Sequence, residues 1–153
     1  MQKFDILIVG GGMVGLTTAL AIRKLSNLTV AIVDNNTLTE LSDSPEVRVS
    51  AINAVSQQLF ANLAVWSDIA KQRIQPYQHM HIWDKSGYGN LDFDIDDLSA
   101  REHSGQLGWI IENAVIRNTL WQKAERDQGI QLFSESKLNN IAIGENEVFA
   151  SFD

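Results

Sequence analysis

Gly10, Gly12 and Gly15 form a Gly-x-Gly-x-x-Gly run directly after an apolar stretch at residues 4–9, and an acid, Asp34, stands nineteen residues after the last of them. The chemistry this spacing serves is dinucleotide binding. Glycine at 10 permits a tight turn, at 12 it lets backbone approach a pyrophosphate, and at 15 it lets the next helix lie close to the strand. The amino terminus of that helix offers free N–H groups and a partial positive charge to phosphate, so Gly11, Met13 and Val14 join the glycines as cofactor-binding candidates. Asp34 is placed to accept hydrogen bonds from a ribose diol, and its charge would repel a 2′-phosphate. The bland alternative is a glycine turn that merely joins a strand to a helix. Three glycines, two flanking strands and an acid at the right distance argue jointly against it, although the motif does not separate the ADP half of FAD from that of NAD.

Such a loop needs a β-α-β unit to hold it. Residues 4–9 read as a buried strand, 13–25 as a helix packed on it through Leu16, Ala19, Leu20 and Ile22, and 29–33 as a second strand rich in β-branched residues. A parallel crossover of this kind is expected to be right-handed. After Asp34 the pattern changes to a polar, irregular loop at 35–45, then Arg48-Val-Ser-Ala-Ile-Asn and a helical stretch to about residue 63. A short helix fits 65–72. Segments 80–84 and 91–94 flank Ser86-Gly-Tyr-Gly as a β-hairpin, and 107–111 reads as a strand. Val115, Ile116, Leu120 and Ala124 recur at helical spacing and mark a helix over 113–128, with a strand after it at 130–133. Strands at 138–143 and 147–152 are joined by Gly144-Glu-Asn. The expected fold is α/β: a Rossmann-like three-layer domain with parallel strands at 4–9, 29–33 and 130–133. The last strand stops without its closing turn, so residues 1–153 are expected to be one incomplete domain.

Other residues that carry chemistry read more plainly. His79 and His81 would share a strand face as metal ligands do, but no third ligand is suitably spaced and His103 lies in a different polar stretch, so no metal is expected. Trp66, Trp83, Trp109 and Trp121 are dispersed over separate elements, as core anchors are. Asp92, Asp94, Asp96 and Asp97 do not match a calcium loop and read as a solvated charge run. Asn113 stands where a strand gives way to a helix and reads as an N-cap. Arg48, between a polar loop and a helix, reads as a solvated or helix-pairing charge. No Ser-His-Asp or paired-carboxylate arrangement is legible.

Composition narrows the partners. Among 153 residues, 12 Lys and Arg stand against 19 Asp and Glu, a net charge of −7 that offers no field for nucleic acid. Cysteine is absent, which excludes disulfides and thiolate chemistry. No export signal is visible, and no apolar run approaches the roughly 20 residues that span a bilayer, so membrane contact would be peripheral and the expected location is cytoplasmic.

The chain beyond Asp34 departs from an ordinary NAD domain, and block by block it resembles the FAD-dependent ubiquinone-biosynthesis hydroxylases of the UbiH, UbiF and VisC/UbiI group. The blocks are Ile8-Val-Gly-Gly-Gly-Met-Val-Gly-Leu16, residues 48–53, Ala64-Val-Trp-Ser-Asp-Ile69, Met80-His-Ile-Trp-Asp-Lys85, Phe93-Asp94, Leu107-Gly-Trp-Ile-Ile-Glu-Asn113 and residues 114–124. The Trp-Asp-Lys block and Gly144-Glu-Asn-Glu147 look most like the VisC/UbiI branch. The resemblance implies a glutathione-reductase-type FAD domain in which Gly10, Gly12, Gly15 and Asp34 hold the ADP moiety. It implies Arg48 beside the pyrophosphate or flavin, and Asn113 at the helix start near the cofactor. Members use reduced flavin and dioxygen to hydroxylate a polyprenyl phenol. The partners it implies are that substrate, the inner-membrane surface or a ubiquinone-biosynthesis complex, and a second copy of the chain. Two departures stand out. The acid after the second strand is usually glutamate, and the family's later Asp-Gly and Gly-Asp segments are absent, which leaves the flavin pocket and substrate cavity unclosed. The rival readings are an NAD-dependent or redox-sensing domain and a non-catalytic remnant.

Overall fold

The computed structural model describes residues 2–98 and 105–153; His103 lies outside them. Strand β1 (Ile6–Val9), helix α1 (Met13–Leu25) and strand β2 (Val30–Val33) make the expected β-α-β unit. Strand β8 (Ile130–Phe133) joins the far side of β2, giving a parallel sheet ordered β1-β2-β8. The central position of β2 explains its composition, since all four residues of Val-Ala-Ile-Val are buried and an unbroken apolar run is what a strand covered on both faces requires. Sheet pairing begins at Ile6 rather than residue 4. There the Asp5 carboxylate accepts hydrogen bonds from the N–H and hydroxyl of Thr29, both at 2.7 Å, and ties the two strand starts together.

Alternation along the strands makes the layers. Ile6, Ile8, Val30, Ile32, Ile130 and Leu132 face α1 and helix α4 (Asn113–Glu125), packing with Leu16, Leu20, Val115, Ile116 and Leu120 into one core. Leu7, Val9, Ala31 and Phe133 line the opposite face, where a hairpin of β9 (Leu138–Ile143) and β10 (Val148–Phe152) lies across them. Phe133 meets Phe152 at 4.8 Å and Phe4 at 6.0 Å between ring centroids. Helices, sheet and hairpin are the three layers.

A second sheet was not legible in the sequence. Strand β3 (Val49–Asn53) pairs antiparallel with β7 (Gly108–Glu112), which pairs in turn with β4 (Ile74–Tyr77), in the order β3-β7-β4. Between β3 and β4 lie helices α2 (Ala54–Asn62) and α3 (Trp66–Ala70). β4 hides behind Pro76, a residue that argues against a strand; Pro76 is tolerated because β4 is an edge and nothing on its outer side needs that N–H. β3 hides because only Ile52 of its five residues is buried, so its apolar signal is weak. The second hairpin, β5 (His79–Trp83) with β6 (Asn90–Asp94), forms as expected, within a residue or two at its ends.

Candidate dinucleotide site

Each glycine of the loop is explained by its surroundings. Gly10 has φ +110, a conformation open to glycine and strained for other residues. A Cβ on Gly15 would lie 2.0 Å from the Gly10 carbonyl oxygen, so this position sets how closely α1 can approach the strand end. A Cβ on Gly12 would meet nothing within 4 Å, and Gly12 is exposed at the helix mouth. Gly12 caps α1 without a side chain, the first turn carries no acid, and the first intrahelical bond is Leu16 N–H to Gly12 O at 3.0 Å. The N–H groups of Met13, Val14 and Gly15 therefore have no intrahelical acceptor, which is the donor set an anion takes at a helix start. Met13 packs against the core while Val14 is exposed.

Asp34 comes directly after β2 and is anchored through its backbone, its N–H bonding Phe133 O at 2.9 Å and its carbonyl accepting from Ser136 N–H at 3.0 Å. Its carboxylate turns back to the loop, accepting from Gly11 N–H at 2.6 Å and Asn36 N–H at 2.7 Å. A carboxylate has about four acceptor positions, so capacity for a ribose diol remains. The donors at the helix mouth, the open volume over Gly12 and this acid fit the ADP half of a dinucleotide. A cavity of about 220 Å³ is lined by Thr37, Trp121, Leu132 and Ser134.

Sequence reasoning missed Arg117. From α4 its Nε donates to Gly11 O at 2.9 Å and its Nη1 to Thr37 O at 2.5 Å. Nη2 stands 3.5 Å from Asp34 Oδ1, and the guanidinium lies 4.8 Å from the centre of the Trp121 ring. The available signal was a lone cation between buried Ile116 and Leu120, four residues before a tryptophan, a spacing that brings the two together on a helix.

Arg48 and Asn113 meet at the start of α4, where Asn113 N–H bonds Arg48 O at 3.0 Å. The Arg48 side chain is exposed, as its plain reading expected. Asn113 is not the N-cap. It is the first residue of the helix, its side-chain oxygen accepts from the Ser50 hydroxyl at 2.6 Å, and the capping position belongs to Glu112. Glu112, only 4 % exposed, holds Arg73 through two bonds of 2.9 and 3.0 Å and accepts from Glu46 N–H at 2.9 Å. Asn113 and Arg117 are four positions apart on one helix, about 6 Å of axial rise, and of the two it is Arg117 that reaches the glycine loop.

The remaining candidates resolve into packing and surface. His79 and His81 share a face of β5, each against an aspartate opposite it on β6, at 3.1 Å for Asp94 and 2.5 Å for Asp92. Those two acids thus belong to cross-strand pairs as well as to the surface. Trp121 is buried, and Trp66 packs edge-on against Trp109 at 5.0 Å. Trp83 departs from the core role expected of it: at 69 % exposure among the described residues it stacks on His81 beside the turn of the hairpin. No helix among the described residues is long and apolar enough to cross a membrane.

The chain has relatives among known proteins, although no family model matches it. It is 29% identical over 148 residues to the mitochondrial ubiquinone biosynthesis monooxygenase COQ6 of Dictyostelium discoideum, covering 90% of this chain and 30% of that protein. It is 33% identical over 132 residues to the 3-demethoxyubiquinol 3-hydroxylase of Escherichia coli K12, covering 86% and 32%. The chain is a homologue of the ubiquinone-biosynthesis hydroxylases. It spans about a third of the length of these relatives. Its fold matches p-nitrophenol 4-monooxygenase PnpA of Pseudomonas putida DLL-E4, with TM-score 0.75 and 19% identity over 99% of this chain and 37% of that one. It also matches the flavin-dependent monooxygenase PieE, solved with FAD and substrate, with TM-score 0.71 and 16% identity over 99% and 27%. The α/β fold is thus that of an FAD-binding domain, present in part.

Proposed function

We propose that these 153 residues bind the ADP half of FAD in a longer monooxygenase, which hydroxylates the aromatic ring of a polyprenyl phenol in ubiquinone biosynthesis. The observation that carries the reading is the uncapped start of α1 opposite Asp34, in a chain homologous to hydroxylases of that pathway. In this reading the N–H groups of Met13, Val14 and Gly15 hold the pyrophosphate over the open Gly12 and Asp34 takes the adenosine ribose. Arg48 and Asn113, at the far end of the α4 start, serve the flavin side. Reduced flavin supplies dioxygen activation when bound; this chain supplies binding and orientation. The remaining pocket walls and the substrate cavity belong to the rest of the polypeptide. A polyprenyl substrate partitions into lipid, which favours peripheral contact with the inner membrane from the cytoplasm.

The test is ligand identity in the intact protein. Separate titrations of FAD and NAD into apoprotein should show FAD binding far more tightly, with a hydroxylated phenol as product when a reductant and oxygen are supplied. Tighter NAD binding at this site would replace the reading with a nicotinamide-dependent enzyme, and a folded protein that takes neither would mark a remnant.

A further inference from the structure

Arg117 has no part in the glycine fingerprint, yet it reaches into the cradle from another helix. Its Nε and Nη1 hold the carbonyls of Gly11 and Thr37, two residues separated by 26 positions in sequence. Trp121 lies against the guanidinium from the next turn of α4, and the same ring would sit 2.9 Å from a Cβ on Gly11, so loop, arginine and tryptophan are packed as one unit. The remaining nitrogen is the informative one. Nη2 is buried with no hydrogen-bond acceptor among the described residues, 3.5 Å from Asp34 Oδ1. A buried guanidinium nitrogen left without an acceptor is costly, and the charged group facing it is the carboxylate that would read the ribose.

We propose that Arg117 is the positioning residue of the ribose subsite: it sets the orientation of the Asp34 carboxylate toward the adenosine ribose of the dinucleotide. The proposal rests on the dinucleotide reading of the site. Gly11 N–H holds Oδ2, Asn36 N–H and Arg117 Nη2 border Oδ1, and Arg117 also fixes the Gly11 carbonyl, so the acid is aimed by a frame that α4 closes. Arg117 makes no contact with the ligand in this role. Its effect is on how well Asp34 distinguishes a ribose from a deoxyribose.

That distinction provides a measurement which a merely structural arginine would leave unchanged. In the intact protein, Kd is measured for FAD and for an FAD analogue carrying 2′-deoxyadenosine. Loss of the charge-assisted bond to Asp34 should weaken the analogue by about ten-fold or more in the parent. In Arg117→Met, which keeps the bulk over Trp121 and removes all donors, the ratio should collapse to within about two-fold, with Arg117→Lys in between. Adding Asp34→Ala to Arg117→Met should change the ratio no further. A parent-like ratio in Arg117→Met, even with both affinities lowered, overturns the proposal. If the variants fail to fold, the parent decides. The Arg117 Nε–H resonance should shift on binding FAD and shift differently with the deoxy analogue, and identical spectra in the two complexes overturn it. A folded parent that binds no FAD overturns the dinucleotide reading and this one with it, whereas FAD binding with a parent-like ratio in the variant removes only this one.

Discussion

Gly12 and Gly15 are one helical turn apart, and a methyl group would meet opposite surroundings at the two. At Gly15 it would lie 2.0 Å from a backbone oxygen; the roughly 1 kcal/mol of helix propensity that alanine gains over glycine cannot offset an overlap of that size. Gly15→Ala should therefore lower stability and cofactor affinity together, as read by chemical denaturation and FAD titration. At Gly12 nothing is within 4 Å, so Gly12→Val should fold normally by circular dichroism while its side chain fills the approach of the pyrophosphate and FAD binding is lost. FAD affinity unchanged in Gly12→Val would contradict the site. On the proposed reading Asp34→Ala would remove bonds to the ribose, each worth about 1.5 to 3 kcal/mol, and should weaken FAD by ten-fold or more. Acid sensitivity is set elsewhere. The N–H and then the hydroxyl of Thr29 hold the Asp5 carboxyl below its ordinary value of 3.8, and the Asp96 N–H followed by His79 does the same for Asp94. A carboxyl with a depressed folded pKa binds fewer protons folded than unfolded, so its stabilisation is present above 3.8 and is lost as pH falls through the folded pKa. Asp5→Asn should flatten the fall of Tm in that acid range and leave its slope near neutrality unchanged.

α4 is the element on which the arrangement depends. Arg117 and Asn118 on its outer face bind the carbonyls of Thr37 and Thr39. Arg73, held by Glu112 at the helix start, binds the carbonyls of Ser42 and Asp43 at 2.9 and 2.8 Å. The polar segment after β2 is thus fastened along one helix, and Asp34 is fixed at its root. Glu112 is buried whereas Arg73 keeps contact with water, so removing the acid should cost near the low end for breaking a buried pair, about 3 kcal/mol. Glu112→Ala should lower Tm by roughly 6 to 12 °C in a domain of this size, and a shift under about 2 °C would show that the pair carries little of the fold.

Across the molecule, the parallel sheet is covered on its helix side, and on the other side the central strand β2 is buried while Val9 at the end of β1 is left exposed. A cleft of about 780 Å³ runs between Leu7, Val9, Ala31 and Phe133 and the β9-β10 hairpin, and Val9, Ile141, Val148 and Phe149 are exposed around it. Contiguous apolar surface of this kind is unusual for a free monomer. Residues 1–153 in isolation should bind a hydrophobic dye and self-associate with rising concentration; a monodisperse monomer without dye fluorescence would argue that the face is satisfied as it stands. The same residues supplied with FAD and a reductant should not hydroxylate phenols, because a cofactor pocket buries most of its ligand and this chain is about a third the length of its relatives. Regiospecific turnover by these residues alone would overturn that expectation.

The β-α-β unit and its glycine loop were legible because their determinants are local: a four-residue apolar strand, a helix with apolar periodicity, and glycines whose spacing reflects backbone geometry within one turn. The parallel partner at residues 130–133 and the β5-β6 hairpin were legible for the same reason. The β3-β7-β4 sheet was not, because its strands are short, one contains proline, and the pairing that stabilises them joins residues 49–53 and 74–77 to 108–112. Asn113 stands one residue inside the helix and its side chain meets Ser50, 63 residues away, while Glu112 at the capping position gives its carboxylate to Arg73 and the Glu46 N–H, so neither side chain caps the helix. Trp83 lies outside the core because the described residues around its two-stranded hairpin do not bury it. Arg117 reads in sequence as one more charge on a helix surface, and its place between Gly11, Thr37 and Asp34 exists only once α4 is laid against the loop. Spacing along the chain encodes what a strand and its next helix do to each other. Which distant side chains satisfy a buried donor or acceptor is set by packing, where each polar group must find a partner among elements brought together from the whole length of the chain.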